Sequence, residues 1–203
     1  MSAASEHYYT AEEYLAFERG CEYRNEYVDG RIRAVPPSNL RHSTIGGNIA
    51  FGLHTRFRGL PCEVFKSAMR TKVRQTGLYA YPDVVALCGT PELEDEYNDT
   101  LLNPSVIIEV LSPSTEAYDR GEKFAHYRRI PSLREYVLVA QDRARVEHYA
   151  RLGERWVLTV AEGLDAELML PVRDCALPLG EIYERLAPFA HEPPAHPDVR
   201  PRG

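Results

Sequence analysis

The chain has no apolar run near the roughly 20 residues of a membrane span, so no membrane-crossing helix is expected. Its opening, MSAASEHYYT, has no basic segment followed by an apolar one, so no secretory signal is expected either. Cysteine is sparse. Cys21, Cys62, Cys88 and Cys175 stand without paired spacing, which argues against a zinc knuckle and fits a reducing cytoplasm. Positive charge is not in excess: the net charge of −6 speaks against nonspecific coating of nucleic acid, though not against an enzyme that engages it locally. No helix-turn-helix, zinc-finger or RNA-binding signature is present, so no sequence specificity is assigned. Repeats and linkers are also missing. What remains is an ordinary globular balance, 44% hydrophobic and 27% charged, in 203 residues. That length suffices for one domain with a full core, placed at residues 1–190. The Pro-rich stretch 191–203, HEPPAHPDVRPRG, is expected to be a disordered tail.

Alternating helix and strand signals place the chain in the α/β class. Thr10 followed three residues later by Glu13 forms a capping box before a short helix that Gly20 stops. EYRNEYVDGRIRAV holds two strand-like runs around Asp29-Gly30, a hairpin signal. Ile45, Ile49, Leu53 and Phe57 recur every four residues and define one apolar helix face, loosened by Gly46 and Gly47. CEVFKS, MRTKVRQ, PDVVALC and SVIIEVLS follow as strands, with the acidic loop 92–99 between the last two. TEAYDRGEKFAHYRRI reads as a helix ended by Pro131, and REYVLVA as a strand. RVEHYARLGERWVLTV reads as a hairpin turning at Gly153, and LPLGEIYERL as a short last helix.

One residue breaks the pattern. VIIEVLSPST reads as a strand buried on both faces, with Glu109 in its middle. An ionised carboxylate there costs several kcal/mol, roughly, unless compensated. Asp83 stands at the mouth of another apolar strand, YPDVVAL. If the two strands are neighbours they lie about 4.8 Å apart, and both carboxylates could share one divalent ion such as Mg²⁺, which takes oxygen ligands. Equally, Glu109 could pair with an Arg or Lys, or reach water at a strand end. Glu26, before the Asp29-Gly30 turn, is either a further ligand or a solvent-facing hairpin residue. Asp119, Lys123 and Tyr127 share a helix face. Lys123 could act beside a metal and stabilise charge on a phosphate, or simply pair with Asp119 at the surface. His42 could bind a phosphate or shuttle a proton, or be a plain surface residue.

In order, TAEEYLAFERGCEYRNEYVDGRI, His42, YPDVVAL, VIIEVLSPST and EKFAHYRRIPSLREYVLV resemble the Uma-type family of restriction endonucleases, the second type of that name, within the PD-(D/E)XK nuclease superfamily. The likeness covers roughly residues 8–187. It implies a restriction-endonuclease-like fold: a mixed central β-sheet flanked by helices, with an N-terminal β-hairpin. It implies Mg²⁺ (Mn²⁺ as substitute) held by Asp83 and Glu109 with Glu26, and metal-dependent hydrolysis of a phosphodiester bond, most naturally in DNA. By analogy it implies a homodimer. One departure stands out. The superfamily's lysine two residues after the second acid is Leu111 here, and Lys123 is the residue this group would use instead. A nuclease fold retired to nucleic-acid or protein binding is the alternative that Leu111 and the net charge favour.

Arg70, Lys72 and Arg74 recur at period two and share one strand face, a pattern repeated by Arg31 and Arg33. Both stripes suit phosphate contacts, or they are ordinary solvated faces. The acidic loop 92–99 would repel DNA unless it lies away from the site.

Overall fold

The capping box forms as expected. Thr10 Oγ1 accepts from the Glu13 N–H at 3.2 Å, and the Glu13 carboxylate accepts from the Thr10 N–H at 2.8 Å. These bonds start helix α1 (Ala11–Arg19), which closes at Gly20. The structure, a computed structural model, describes residues 7–186. The Pro-rich tail 191–203 lies outside the described residues. Next comes the hairpin β1 (Asn25–Val28) and β2 (Arg31–Ala34). Its turn residues Asp29 and Gly30 have φ of 49° and 78°, the left-handed pair a tight two-residue hairpin needs.

Helix α2 (Leu40–Arg56) buries Ile45, Ile49 and Leu53. Gly52 lets it approach closely: a Cβ there would stand 2.6 Å from Leu177 Cδ1. The remaining strands are β3 (Cys62–Lys66), β4 (Arg70–Val73), β5 (Leu78–Ala80), β6 (Val84–Cys88), β7 (Thr100–Leu101), β8 (Val106–Val110), β9 (Glu135–Val139), β10 (Arg145–Leu152), β11 (Arg155–Glu162), β12 (Glu167–Leu170) and β13 (Cys175–Pro178). Between β8 and β9 runs a helix in three pieces: α3 (Glu116–Tyr118), a π-helical turn (Asp119–Lys123) and α4 (Phe124–Tyr127). Helix α5 (Leu179–Ile182) follows β13.

The strands form a six-stranded sheet, β11-β10-β9-β8-β6-β3, and a five-stranded sheet, β2-β1-β5-β4-β7, with β12-β13 as a separate hairpin. The larger sheet is mixed, because β8 and β9 run parallel while its other pairs are antiparallel. Strand alternation decides which way each side chain faces. Val106, Ile108 and Val110 join α2 in one core cluster, and Ile107 and Leu111 join Tyr127, Leu133 and Tyr136 in another. Glu109 therefore falls on the face of Ile107, toward the three-piece helix. On β6, Val84 and Ala86 take the first cluster and Val85 and Leu87 the second, so Asp83 shares the face of Glu109.

The absence of paired cysteine spacing in the sequence does not mean absence of a pair in space. Register sets Cys62 of β3 opposite Cys88 of β6, and a disulfide joins them; Cys21 and Cys175 are free. Twenty-six residues separate the two, so no local spacing announced the pair. The disulfide removes the support that this spacing lent to a reducing cytoplasm. Among the described residues no helix is long and apolar enough to cross a membrane.

Candidate active site

Strands β6 and β8 pair antiparallel with Val84 opposite Ile108, which brings Asp83 and Glu109 side by side at one end of the sheet. The two acids grip each other's strand. The Asp83 N–H donates to Glu109 Oε2 at 3.3 Å, and the Val110 N–H donates to Asp83 Oδ2 at 2.8 Å. His42, on the first turn of α2, places Nε2 3.1 Å from Asp83 Oδ2. Glu26 arrives from the other sheet, where β1 pairs with β5, and its Oε1 accepts from the Tyr81 N–H at 3.4 Å.

Lys123 stands in the middle. Its Nζ lies 3.0 Å from Glu26 Oε1, 3.0 Å from Glu109 Oε1 and 3.5 Å from Asp119 Oδ1. The Tyr127 hydroxyl donates to Glu109 Oε1 at 3.1 Å. The shared helix face of Asp119, Lys123 and Tyr127 is thus real, and it is buried rather than at the surface. The π-turn carries Asp119 and Lys123, and such turns recur at functional sites. Leu111 packs in the core at 4% exposure, so a lysine there would point into apolar side chains; Lys123 supplies the ammonium from the helix instead.

Charge in this cluster does not balance. Four carboxylates, Glu26, Asp83, Glu109 and Asp119, surround one ammonium and one imidazole. Burial pushes the Glu109 carboxyl well above its ordinary range; Lys123 opposes this, while Asp119, Asp83 and Glu26 add to it. Burial works against the Lys123 ammonium too, yet Glu109, Tyr127, Glu26 and Asp119 outweigh it and hold its pKa well above the usual value. Burial likewise raises Asp119, against Lys123. An ion pair alone would pull Glu109 down, so the two directions together describe one condition: the lysine stays charged and the carboxylates are short of positive charge.

The residues fit a hard divalent cation by donor chemistry. Asp83, Glu109 and Glu26 line one cavity of about 460 Å³, all with oxygen donors, and carry more negative charge than Lys123 neutralises. Among the described residues no three acidic, His or Cys side chains already converge as a metal cage. The ammonium between Glu26 and Glu109 accounts for that. Glu109 is compensated in two compatible ways, by a lysine partner in the protein as it stands and by room for a cation beside Asp83.

Several lining groups were not read from the sequence as members of this site. Tyr118, Asp119, Arg33 and Gln141 face the cavity. Gln141 is pinned by its Nε2 donating to the Leu111 carbonyl at 2.6 Å, and the Arg33 guanidinium lies 5.8 Å over the Tyr118 ring. Asp119 was foreshadowed as the partner of Lys123, and Arg33 as a phosphate contact on the first hairpin, now found facing this cavity. Arg70, Lys72 and Arg74 are not brought to the site. Arg70 is 2% exposed, its Nη2 2.8 Å from Asp99 Oδ1 at an angle outside hydrogen bonding and its Nε donating to Thr100 Oγ1 at 2.9 Å. Lys72 pairs with Glu94, and Arg74 with Glu92 at 3.3 Å. The acidic loop lies on the basic stripe and occupies it, so neither an open phosphate face nor a bare solvated one describes β4.

A mixed sheet presenting paired acids at its rim, with a lysine from a flanking helix, is a nuclease fold. It superposes with a TM-score of 0.71 on the crystal structure of "a putative nuclease belonging to DUF820" from Anabaena variabilis ATCC 29413, covering 86% of this chain and 97% of that one at 19% identity. The chain belongs to the Uma2 family, described as "Putative restriction endonuclease", whose pattern matches residues 11–179. Relatives include two proteins of Synechocystis sp. (strain ATCC 27184 / PCC 6803 / Kazusa). "Uncharacterized protein sll1609" is 36% identical over 83% of this chain and 96% of its own length. "Uncharacterized protein slr1290" is 34% identical over 68% and 72%.

Proposed function

We propose that this chain is a divalent-cation-dependent phosphodiester hydrolase acting as a DNA endonuclease. The observation that carries this reading is the convergence of Asp83, Glu109, Glu26 and Lys123 on one cavity, with more acid than the lysine neutralises. Asp83, Glu109 and Glu26 would hold Mg²⁺, or Mn²⁺ in its place. When bound, the cation supplies Lewis acidity and stabilises negative charge on the phosphate. The chain's own residues do the rest. Asp83 is held by the Val110 N–H and His42, so its carboxylate is oriented before any substrate arrives. Lys123 keeps its charge and lines the cavity, where its ammonium would stabilise negative charge on a phosphate oxygen. Tyr127 fixes Glu109 from below. The reading includes a homodimer, by superfamily analogy.

Cleavage of supercoiled plasmid, linear duplex and single-stranded DNA with Mg²⁺ or Mn²⁺ tests the proposal. Asp83→Ala and Glu109→Ala are expected to abolish it; cleavage that survives both rules out this site. A second reading, a nuclease fold that binds without cutting, is favoured by the engagement of Lys123 with three carboxylates. DNA binding by wild-type protein with no cleavage under either metal would select it.

A further inference from the structure

A second cavity, of about 320 Å³, adjoins the first and shares His42, Ser38 and Asp83 with it. Its character is opposite. Asp83 is its sole acid, and Arg24, Lys66 and His42 face it together with the hydroxyl residues Ser38, Ser43 and Ser67. His42 faces Asp83 at 3.1 Å, but unlike the cations of β4, Lys66 and Arg24 are not consumed by the protein's own carboxylates. Among the described residues, Lys66 makes one hydrogen bond, from Nζ to the Ser43 carbonyl at 3.1 Å, and Arg24 lies 5.6 Å over the Tyr81 ring; neither has an ion-pair partner.

The cavity wall is also fixed to the catalytic strand. Ser67 holds φ of 49°, a left-handed conformation that a non-glycine residue rarely adopts. In that conformation its N–H and its Oγ both donate to the Asp83 carbonyl, at 2.9 and 3.1 Å. The loop after β3, with Lys66 immediately before Ser67, is therefore tied to Asp83, one of the residues that contribute to both cavities. A basic, hydroxyl-lined pocket set at a fixed offset from an acidic one is suited to hold a neighbouring phosphate of a chain whose reacting phosphate occupies the other.

We infer that Lys66 and Arg24 form a backbone-phosphate subsite that positions a nucleic-acid strand across Asp83. The inference rests on the nuclease reading and adds to it the surface that reads the polyanion, a role the β4 stripe does not fill. Phosphate contacts of this kind set register without reading bases.

The test is binding of a fluorescent 30-nucleotide DNA, single-stranded and duplex, by anisotropy in EDTA so that no turnover occurs. For Lys66→Gln and Arg24→Gln, each removing one phosphate contact, the slope of log K against log salt is expected to fall by about 0.7–0.9, and for the double variant by about twice that. Arg173→Gln, an exposed arginine on the β12–β13 connection, serves as control and should leave the slope unchanged. Thermal unfolding checks that each variant is folded. Slopes unchanged in both subsite variants, or lowered equally by Arg173→Gln, overturn the subsite while leaving the nuclease reading in place. A wild-type protein that binds neither DNA also overturns the subsite, whereas the nuclease reading falls only if no cleavage appears with Mg²⁺ or Mn²⁺.

Discussion

Glu109 and Lys123 are buried partners with unequal obligations. Lys123 is the sole ammonium among Glu26, Glu109 and Asp119. Removing it as Lys123→Met leaves those acids facing one another, and breaking a buried pair from one side costs about 3–5 kcal/mol. Glu109→Gln keeps the shape and relieves repulsion, so without metal it should be as stable as wild type or better by up to about 1 kcal/mol, although it damages the proposed function. Urea unfolding in EDTA at pH 7 separates the two; a loss of several kcal/mol in Glu109→Gln would contradict the charge imbalance. The pH dependence follows. The Glu109 carboxyl sits well above its ordinary value of 4.5 in the folded state, so the native protein holds more protons there than the unfolded chain. This contribution to stability is full below 4.5 and is lost as pH rises toward the raised folded value. Glu109→Gln should flatten that decline. At this scale the sequence was most informative. An acid amid Val106, Ile107, Ile108 and Val110 is conspicuous, and the spacing of Asp119, Lys123 and Tyr127 announced their common face. Spacing could not say whether Glu109 answers to a lysine or to a cation, because that depends on where the helix lands.

At the scale of elements, the acidic loop and β4 form one clasp. Arg19 Nη2 lies 2.6 Å from Asp95 Oδ2 and its Nε 2.9 Å from Asp99 Oδ2, while Arg70 approaches Asp99 from the sheet. Burial works against the Asp99 carboxylate, but its hydrogen bonds from Arg19 and Thr100, with Arg70 nearby, hold it down at about 2. A depressed folded value means stability that is present above the ordinary 3.8 and is lost as pH falls toward about 2. Acid unfolding of wild type should therefore steepen between those values, and Asp99→Asn should remove that steepening while lowering stability at neutral pH. Circular dichroism across pH 5 to pH 2, with roughly this window set by linkage, reads both effects, and an unchanged Asp99→Asn profile would count against the clasp. The period-two stripe Arg70, Lys72 and Arg74 was legible in the sequence; what it meets was not. Alternation tells which residues share a face, but the partner of that face is chosen by a loop more than fifteen residues away. The π-turn inside TEAYDRGEKFAHY left no periodic trace either, since one extra residue does not disturb an apolar pattern that short.

For the molecule as a whole, the site depends on the docking of two sheets. Glu26 comes from the five-stranded sheet, Asp83 and Glu109 from the rim of the six-stranded one, and Lys123 from the helix between β8 and β9. The strands of the larger sheet were readable from apolar runs, whereas β5, three residues long, and the β12-β13 hairpin were too short or too plain to signal themselves. One edge of the larger sheet is β11, eight residues long and without proline, and it leaves Val157, Leu158 and Val160 between 44% and 47% exposed. A long apolar edge with unspent backbone donors and acceptors invites another strand. A two-fold axis normal to the sheet pairs residues of equal parity, and centring it on Thr159 sets Leu158 opposite Val160 of a second copy and Val157 opposite Ala161. Every opposed pair near the axis is then apolar or Thr with Thr, the cross-strand pattern that stabilises antiparallel sheets. The homodimer of the proposed function is therefore expected to form through β11. Sedimentation velocity should show a dimer for wild type that dissociates on dilution. Val160→Lys, which sets two ammonium groups near the axis against leucines, should sediment as a monomer with an unchanged circular dichroism spectrum. A wild type that stays monomeric at high concentration, or a dimer indifferent to Val160→Lys, would place the edge strand outside any self-association.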